Sequence, residues 1–198
     1  MIEDQIKGRV PDSALDYCLQ VYLEAPFTFR ISGQRSSKLG DYRFDPRVRS
    51  HAITVNEDLN PYQFLITYIH EVAHRRVHEQ NRRQKPHGIH WKREFQRLML
   101  PILHPEVFPE EVLRPLARHM KNPKASAAAD PNLISALRQF DSEEKKPTLA
   151  QLPINEEFEF KRRWFRKLEV KRTRALCLDL QNQKRYLVPL IVEIRTRG

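Results

Sequence analysis

The chain has 198 residues, enough for one compact domain or a domain with a small appendage, and 40% of them are hydrophobic, which can support a real core. Lys and Arg number 35 against 25 Asp and Glu, a formal net charge of +10 that favours an anionic partner, nucleic acid being the commonest. Two isolated cysteines, Cys18 and Cys177, exclude a disulfide framework and an all-cysteine zinc site, and suit a reducing compartment.

The first ten residues carry Glu3, Asp4, Lys7 and Arg9 and contain no apolar core of signal-peptide length. Asp12 or Ser13 can cap a first helix, whose stripe of Leu15, Cys18, Leu19 and Tyr22 has the spacing of one buried face and which Pro26 ends. Three strands follow: Phe27–Ile31, Leu39–Phe44 and His51–Val55, rich in aromatic and β-branched residues and separated by Gly33, Ser36–Ser37 and Asp45-Pro46. Asn60 as cap and Pro61 at the first helical position open a long helix that runs to about Asn81. After a polar loop with Pro86 and Gly88, a helix starts near Trp91, with Trp91, Phe95, Leu98, Met99 and Ile102 on one face. Another short helix lies between Pro109 and Lys121.

Composition shifts at Asn122, and residues 122–153 read as a linker with a weak helix around Leu133–Phe140. From Ile154 to Gly198 the pattern is that of a small β module of three or four strands, with a hairpin turn at Gln181–Lys184. The expected organisation is therefore α+β: a first domain over residues 1–121, the linker, and the β module over 154–198. The longest apolar stretch, Leu187–Val192, is far too short to span a bilayer, so a soluble, cytoplasmic protein with no membrane contact is expected.

The segment that carries chemistry is His70-Glu71-Val72-Ala73-His74, in the middle of the long helix. Residues four apart share a helix face, roughly 6 Å apart along the axis, so two imidazoles can approach one Zn²⁺ from the same side. Glu71 is turned around the helix and is left free to handle the protons of a water at the metal. A catalytic zinc needs a third protein ligand. His78 lies ~12 Å along the axis and about 80° around from His70, too far to close the set, and reads as a surface histidine. His87 and His90 both follow a loop that Gly88 lets bend back, and geometry leaves both open.

Leu39-Gly-Asp-Tyr42, Ile53-Thr-Val-Asn56, the His70–His74 segment and His87-Gly88-Ile89-His90-Trp91, taken together and in this order, resemble the SprT-like, or Spartan-type, zinc metalloproteases. The resemblance covers Lys38 to Leu103, roughly a third of the chain. It implies a minimal zincin-like domain, a small three-stranded sheet packed on helices around an active-site helix. It also implies one zinc ion on His70, His74 and His87, Glu71 as the catalytic carboxylate, and a protein substrate. Spartan-type members cleave proteins crosslinked to DNA. Bacterial members of the SprT type often end in a cysteine-rich zinc ribbon; here Cys177 stands alone and the β module takes that place.

The β module holds a basic ribbon: Lys161, Arg162, Arg163, Arg166, Lys167, Lys171, Arg172 and Arg174, interrupted by Trp164 and Phe165 and offset by Glu169. Positive charge beside aromatics suits single-stranded nucleic acid, and these cations with Trp164 are the expected DNA contacts. A second cluster, Arg75, Arg76, Arg82, Arg83, Lys85, Lys92 and Arg93 with only Glu79 against it, flanks the histidines. The competing reading is a basic nucleic-acid-binding protein with a non-catalytic or structural histidine site.

Overall fold

A computed structural model describes residues 1–35, 38–80, 85–125, 130–141, 147–171, 174–190 and 192–196. The chain divides into two compact units, Met1–Ser142 and Glu143–Gly198.

The first unit is built around one helix. Helices α1 (Ile2–Ile6) and α2 (Asp12–Glu24) lead into strands β1 (Thr28–Ser32), β2 (Gly40–Asp45) and β3 (Ser50–Asn56). The sheet order is β1-β3-β2, with β1 parallel and β2 antiparallel to β3, so β2 is an edge strand. Strand alternation decides which side chains turn inward: Phe29, Ile53 and Val55 are buried, whereas Arg30 and Arg43 are exposed. Helix α3 (Pro61–Gln80) packs against β2 and β3 and buries Phe64, Leu65, Tyr68, Ile69 and Val72 completely. Each such side chain contributes about 1.5–3 kcal/mol by leaving water. The start of α3 is fixed by Asn60, whose Oδ1 accepts from the Gln63 N–H at 2.9 Å.

Helices α4 (Ile89–Met99), α5 (Glu110–Met120) and α6 (Pro131–Leu137) complete the unit. Helix α4 buries Trp91, Phe95, Leu98 and Met99 on one face, at helical spacing. Of the stretch that follows α5, residues 130–141 pack into this unit. Asp130 caps α6 by accepting from the Asn132 and Leu133 N–H groups, Leu133, Ala136 and Leu137 enter the core, and Asn60 Nδ2 donates to Leu137 C=O at 2.8 Å. Sequence composition underestimates this segment because three apolar side chains suffice to dock a seven-residue helix.

The second unit is an antiparallel sheet in the order β7-β6-β5-β4-β8. Its strands are β4 (Glu157–Phe160), β5 (Arg163–Lys171), β6 (Arg174–Asp179), β7 (Arg185–Pro189) and β8 (Arg195–Thr196). Phe158, Phe165, Ala175, Cys177 and Val188 form its core. Among the described residues five strands stand where three or four are expected: β7 stops at Pro189, which cannot donate to a ladder, and the two-residue β8 adds an edge beside β4. The turn at Gln181–Lys184 is held by Asp179, whose Oδ1 accepts from the Gln181 and Asn182 N–H groups. Among the described residues no helix is long and apolar enough to cross a membrane.

Candidate metal centre

Helix α3 places His70 and His74 one turn apart, and the capped, apolar helix around them leaves neither free to drift. The third imidazole comes back over a tight turn. The Gly88 N–H donates to Lys85 C=O at 3.0 Å, His87 takes the left-handed conformation at φ 57°, and α4 begins immediately after. Histidine is among the few residues that tolerate this region.

The three Nε2 atoms converge. His70 and His87 are 3.2 Å apart, His70 and His74 3.2 Å, and His74 and His87 2.9 Å. A neutral imidazole nitrogen either donates or accepts, so three of them in mutual contact cannot all be satisfied by hydrogen bonds among themselves. A cation satisfies all three at once. A circle through the three atoms has a radius of about 1.8 Å, from the three separations; this is shorter than a Zn–N bond of ~2.0–2.1 Å. A point at bonding distance from all three therefore exists. Among the described residues this is the group of His, Cys, Asp and Glu side chains able to hold a metal ion.

Trp91 closes the back of the site. Its indole stacks on His74 (5.3 Å between centroids), meets His87 edge-on at 4.7 Å, and donates from Nε1 to the His70 C=O at 3.4 Å. Burial, then repulsion among the rings, holds His70 well below the usual imidazole range; the same causes bring His74 down to about 4, and burial lowers His87. All three are thus neutral at neutral pH, the state that ligates a metal.

Glu71 is 6% exposed, and its carboxyl lies against Gly40 at the start of β2. Burial, then the nearby Asp41, raises its carboxyl to about 8, against the backbone N–H of Tyr42, Arg35 and Lys38, which favour the carboxylate. A divalent cation held by the three imidazoles would favour the carboxylate as Arg35 and Lys38 do.

The structure separates the remaining candidates. His90 is exposed in the first turn of α4, away from the triad. His78 is half-buried: it packs on the Phe44 ring at 4.5 Å and near Tyr42 and His51. Tyr68, two residues before His70, is fully buried and donates to Cys18 C=O at 3.1 Å, tying α3 to α2. In the second basic cluster Arg75 is buried and paired with Glu79, while Arg76 pairs with Glu24 and Glu94, two acids that lie far away in sequence. Arg82 and Arg83 lie outside the described residues.

The basic ribbon needs correction. Lys167 is only 2% exposed and donates from Nζ to Leu149 C=O at 2.8 Å and Leu152 C=O at 2.5 Å. Strand alternation puts it on the same inward face as Phe165, so it is no contact for DNA. Arg163 reaches the fully buried Asp179 and lies over the rings of Phe165 and Tyr186, while 38% of its side chain stays exposed. Arg166 pairs with Glu157 and Lys171 with Glu169, but both cations stay exposed, as does Arg174. Trp164 is half-buried; Arg172 lies outside the described residues. Lys161 and Arg162 form the exposed tip of the β4–β5 hairpin, both left-handed, at φ 53° and 61°.

Gly40, at the start of β2, has a neighbour that the sequence does not reveal. A Cβ there would lie 2.6 Å from Glu71 Oε1. The glycine stands in the resembling segment Leu39–Tyr42, but only the packing reveals its neighbour. No protein-family profile, no curated protein and no solved structure matches this chain.

Proposed function

We propose that the first unit is a zinc-dependent peptidase of the SprT-like, zincin-like kind, acting on DNA-associated proteins. The observation that carries this reading is the convergence of three neutral Nε2 atoms with a buried carboxyl one helical position from the first of them. His70, His74 and His87 would hold the ion. One zinc there supplies Lewis acidity toward a water nucleophile and a peptide carbonyl oxygen. Glu71 takes the proton of the attacking water and later delivers it to the leaving amine. Trp91 keeps the imidazoles in place and bulk water away from behind. Because β2 is an edge strand and touches Glu71 through Gly40, an extended peptide can pair with it beside the carboxyl, which favours a peptide substrate.

A second reading, nucleic-acid binding without turnover, is favoured by the β4–β5 tip. Lys161 and Arg162 occupy left-handed positions where Asn-Gly is cheaper, at a cost of about 1–3 kcal/mol each. Two cations kept there against strain suit contact with phosphates.

Glu71→Gln separates the two. On fluorescein-labelled casein the peptidase reading expects wild-type hydrolysis, lowered about 10²–10⁴-fold in the variant, with one zinc retained by both proteins. Equal rates in variant and wild type remove the enzymatic reading.

A further inference from the structure

We infer that Gly40 is a positioning residue for Glu71: the space left by its missing side chain is the slot in which the Glu71 side chain is held. The inference rests on the hydrolase reading above and deepens it.

A Cβ at residue 40 would lie 2.6 Å from Glu71 Oε1, 2.8 Å from Glu71 Cγ and 2.7 Å from Thr67 Cγ2. The wall of the slot is rigid on the helix side. Thr67 and Glu71 are one turn apart on α3, and the Thr67 hydroxyl donates to Gln63 C=O at 2.8 Å, which fixes where its methyl points. The demand is steric, because Gly40 is not among the left-handed glycines.

The strand side is equally fixed, by Asn56. This side chain is fully buried at the end of β3. Its backbone N–H donates to Leu39 C=O at 2.9 Å, and its Nδ2 donates to Lys38 C=O at 3.1 Å and Arg35 C=O at 3.3 Å. Its Oδ1 accepts from Arg35 Nε at 2.7 Å. One residue thus grips the segment that delivers Gly40. Two residues on, the Tyr42 backbone favours the charged form of the same carboxyl. Glu71 is consequently confined between a clamped strand and a fixed helix turn. Such confinement suits a group that must receive a proton at one point and release it at another.

Ordinary close packing of strand on helix would also require glycine, and a steric cycle distinguishes the two. In a Thr67→Ser background, where the competing methyl is gone, Gly40→Ala is compared with and without Glu71→Ala in the metal-free protein. Positioning predicts that Gly40→Ala lowers Tm by ~5 °C when Glu71 is present and by less than half of that when it is truncated. On labelled casein, Gly40→Ala lowers kcat about 100-fold with KM and zinc affinity within threefold of wild type. Asn56→Asp, which removes the Nδ2 donors at nearly constant volume, lowers kcat in the same way and to a smaller extent. The inference is overturned if Gly40→Ala keeps kcat within twofold, if it loses zinc in parallel, or if its Tm loss is the same with and without the Glu71 side chain. Failure of the hydrolase reading looks different: wild type and Glu71→Gln then behave alike on casein, while the metal-free cycle still decides whether residue 40 confines Glu71.

Discussion

Replacing Gly88 with alanine should weaken metal binding while leaving the fold almost untouched. A Cβ at residue 88 would lie 2.9 Å from Lys85 C=O, the oxygen that the Gly88 N–H itself engages at 3.0 Å. An unstrained carbon–oxygen contact is longer by roughly half an ångström, so the turn must open by about that much. The residue inside the turn is His87, whose backbone is already left-handed, and the displacement passes to its Nε2. Metal–ligand distances tolerate ~0.2 Å, less than half of this shift. Affinity for zinc should therefore fall about 10–100-fold, or about 1.4–2.8 kcal/mol, the range seen when a ligand's support is removed. The fold itself should lose under ~1 kcal/mol, because Lys85 is exposed and His87 and Gly88 are only half-buried. Competition against a chromophoric chelator reads the affinity, and urea unfolding of the chelated protein reads the fold. Unchanged zinc affinity, or an affinity loss matched by an equal loss of metal-free stability, would refute the reasoning.

Two further outcomes follow from the same geometry. Metal-free protein should lose stability on acidification through its imidazoles. Their folded pKa values lie below 6.5, so the unfolded chain binds more protons; the contribution is complete above about 6.5 and is lost as pH falls towards about 4, His74 alone accounting for about 3 kcal/mol. Glu71, raised to about 8, titrates with the opposite sign, so the urea midpoint is best followed in the Glu71→Gln protein with chelator; a midpoint equal at pH 7.5 and 4.5 contradicts the account. At the other end of the chain, Lys161→Asn with Arg162→Gly should stabilise the second unit by ~1–2 kcal/mol in thermal unfolding and reduce the salt slope of single-stranded DNA binding by about 2. An unaltered slope removes the hairpin tip from the nucleic-acid interface.

Much of the first unit is legible in the sequence, for reasons that differ by element. The long helix declares itself through Asn60-Pro61 and its apolar stripe, and its observed start at Pro61 follows from that cap. The three strands lie within a residue or so of the positions read from their aromatic and β-branched runs. The pairing of His70 with His74 follows from helix geometry alone. The choice of His87 over His90 does not, since it depends on a left-handed turn that places one side chain inward and the other in solvent. Long-range packing defeats composition in three places: α6 docks into the core, Arg76 finds Glu24 and Glu94, and Gly40 meets Glu71. In the second unit the period-two rule, applied to Lys167 beside Phe165, already points the lysine inward; charge counting along the ribbon overlooks it.

X-ray absorption at the zinc edge, combined with anomalous diffraction from crystals of the purified protein, bears most directly on the centre. The account predicts one zinc per chain, bonded at ~2.0–2.1 Å to the Nε2 atoms of His70, His74 and His87. A zinc ion ligated by His90 or by carboxylates elsewhere, or three imidazoles that take up no zinc when it is supplied in excess, would contradict it.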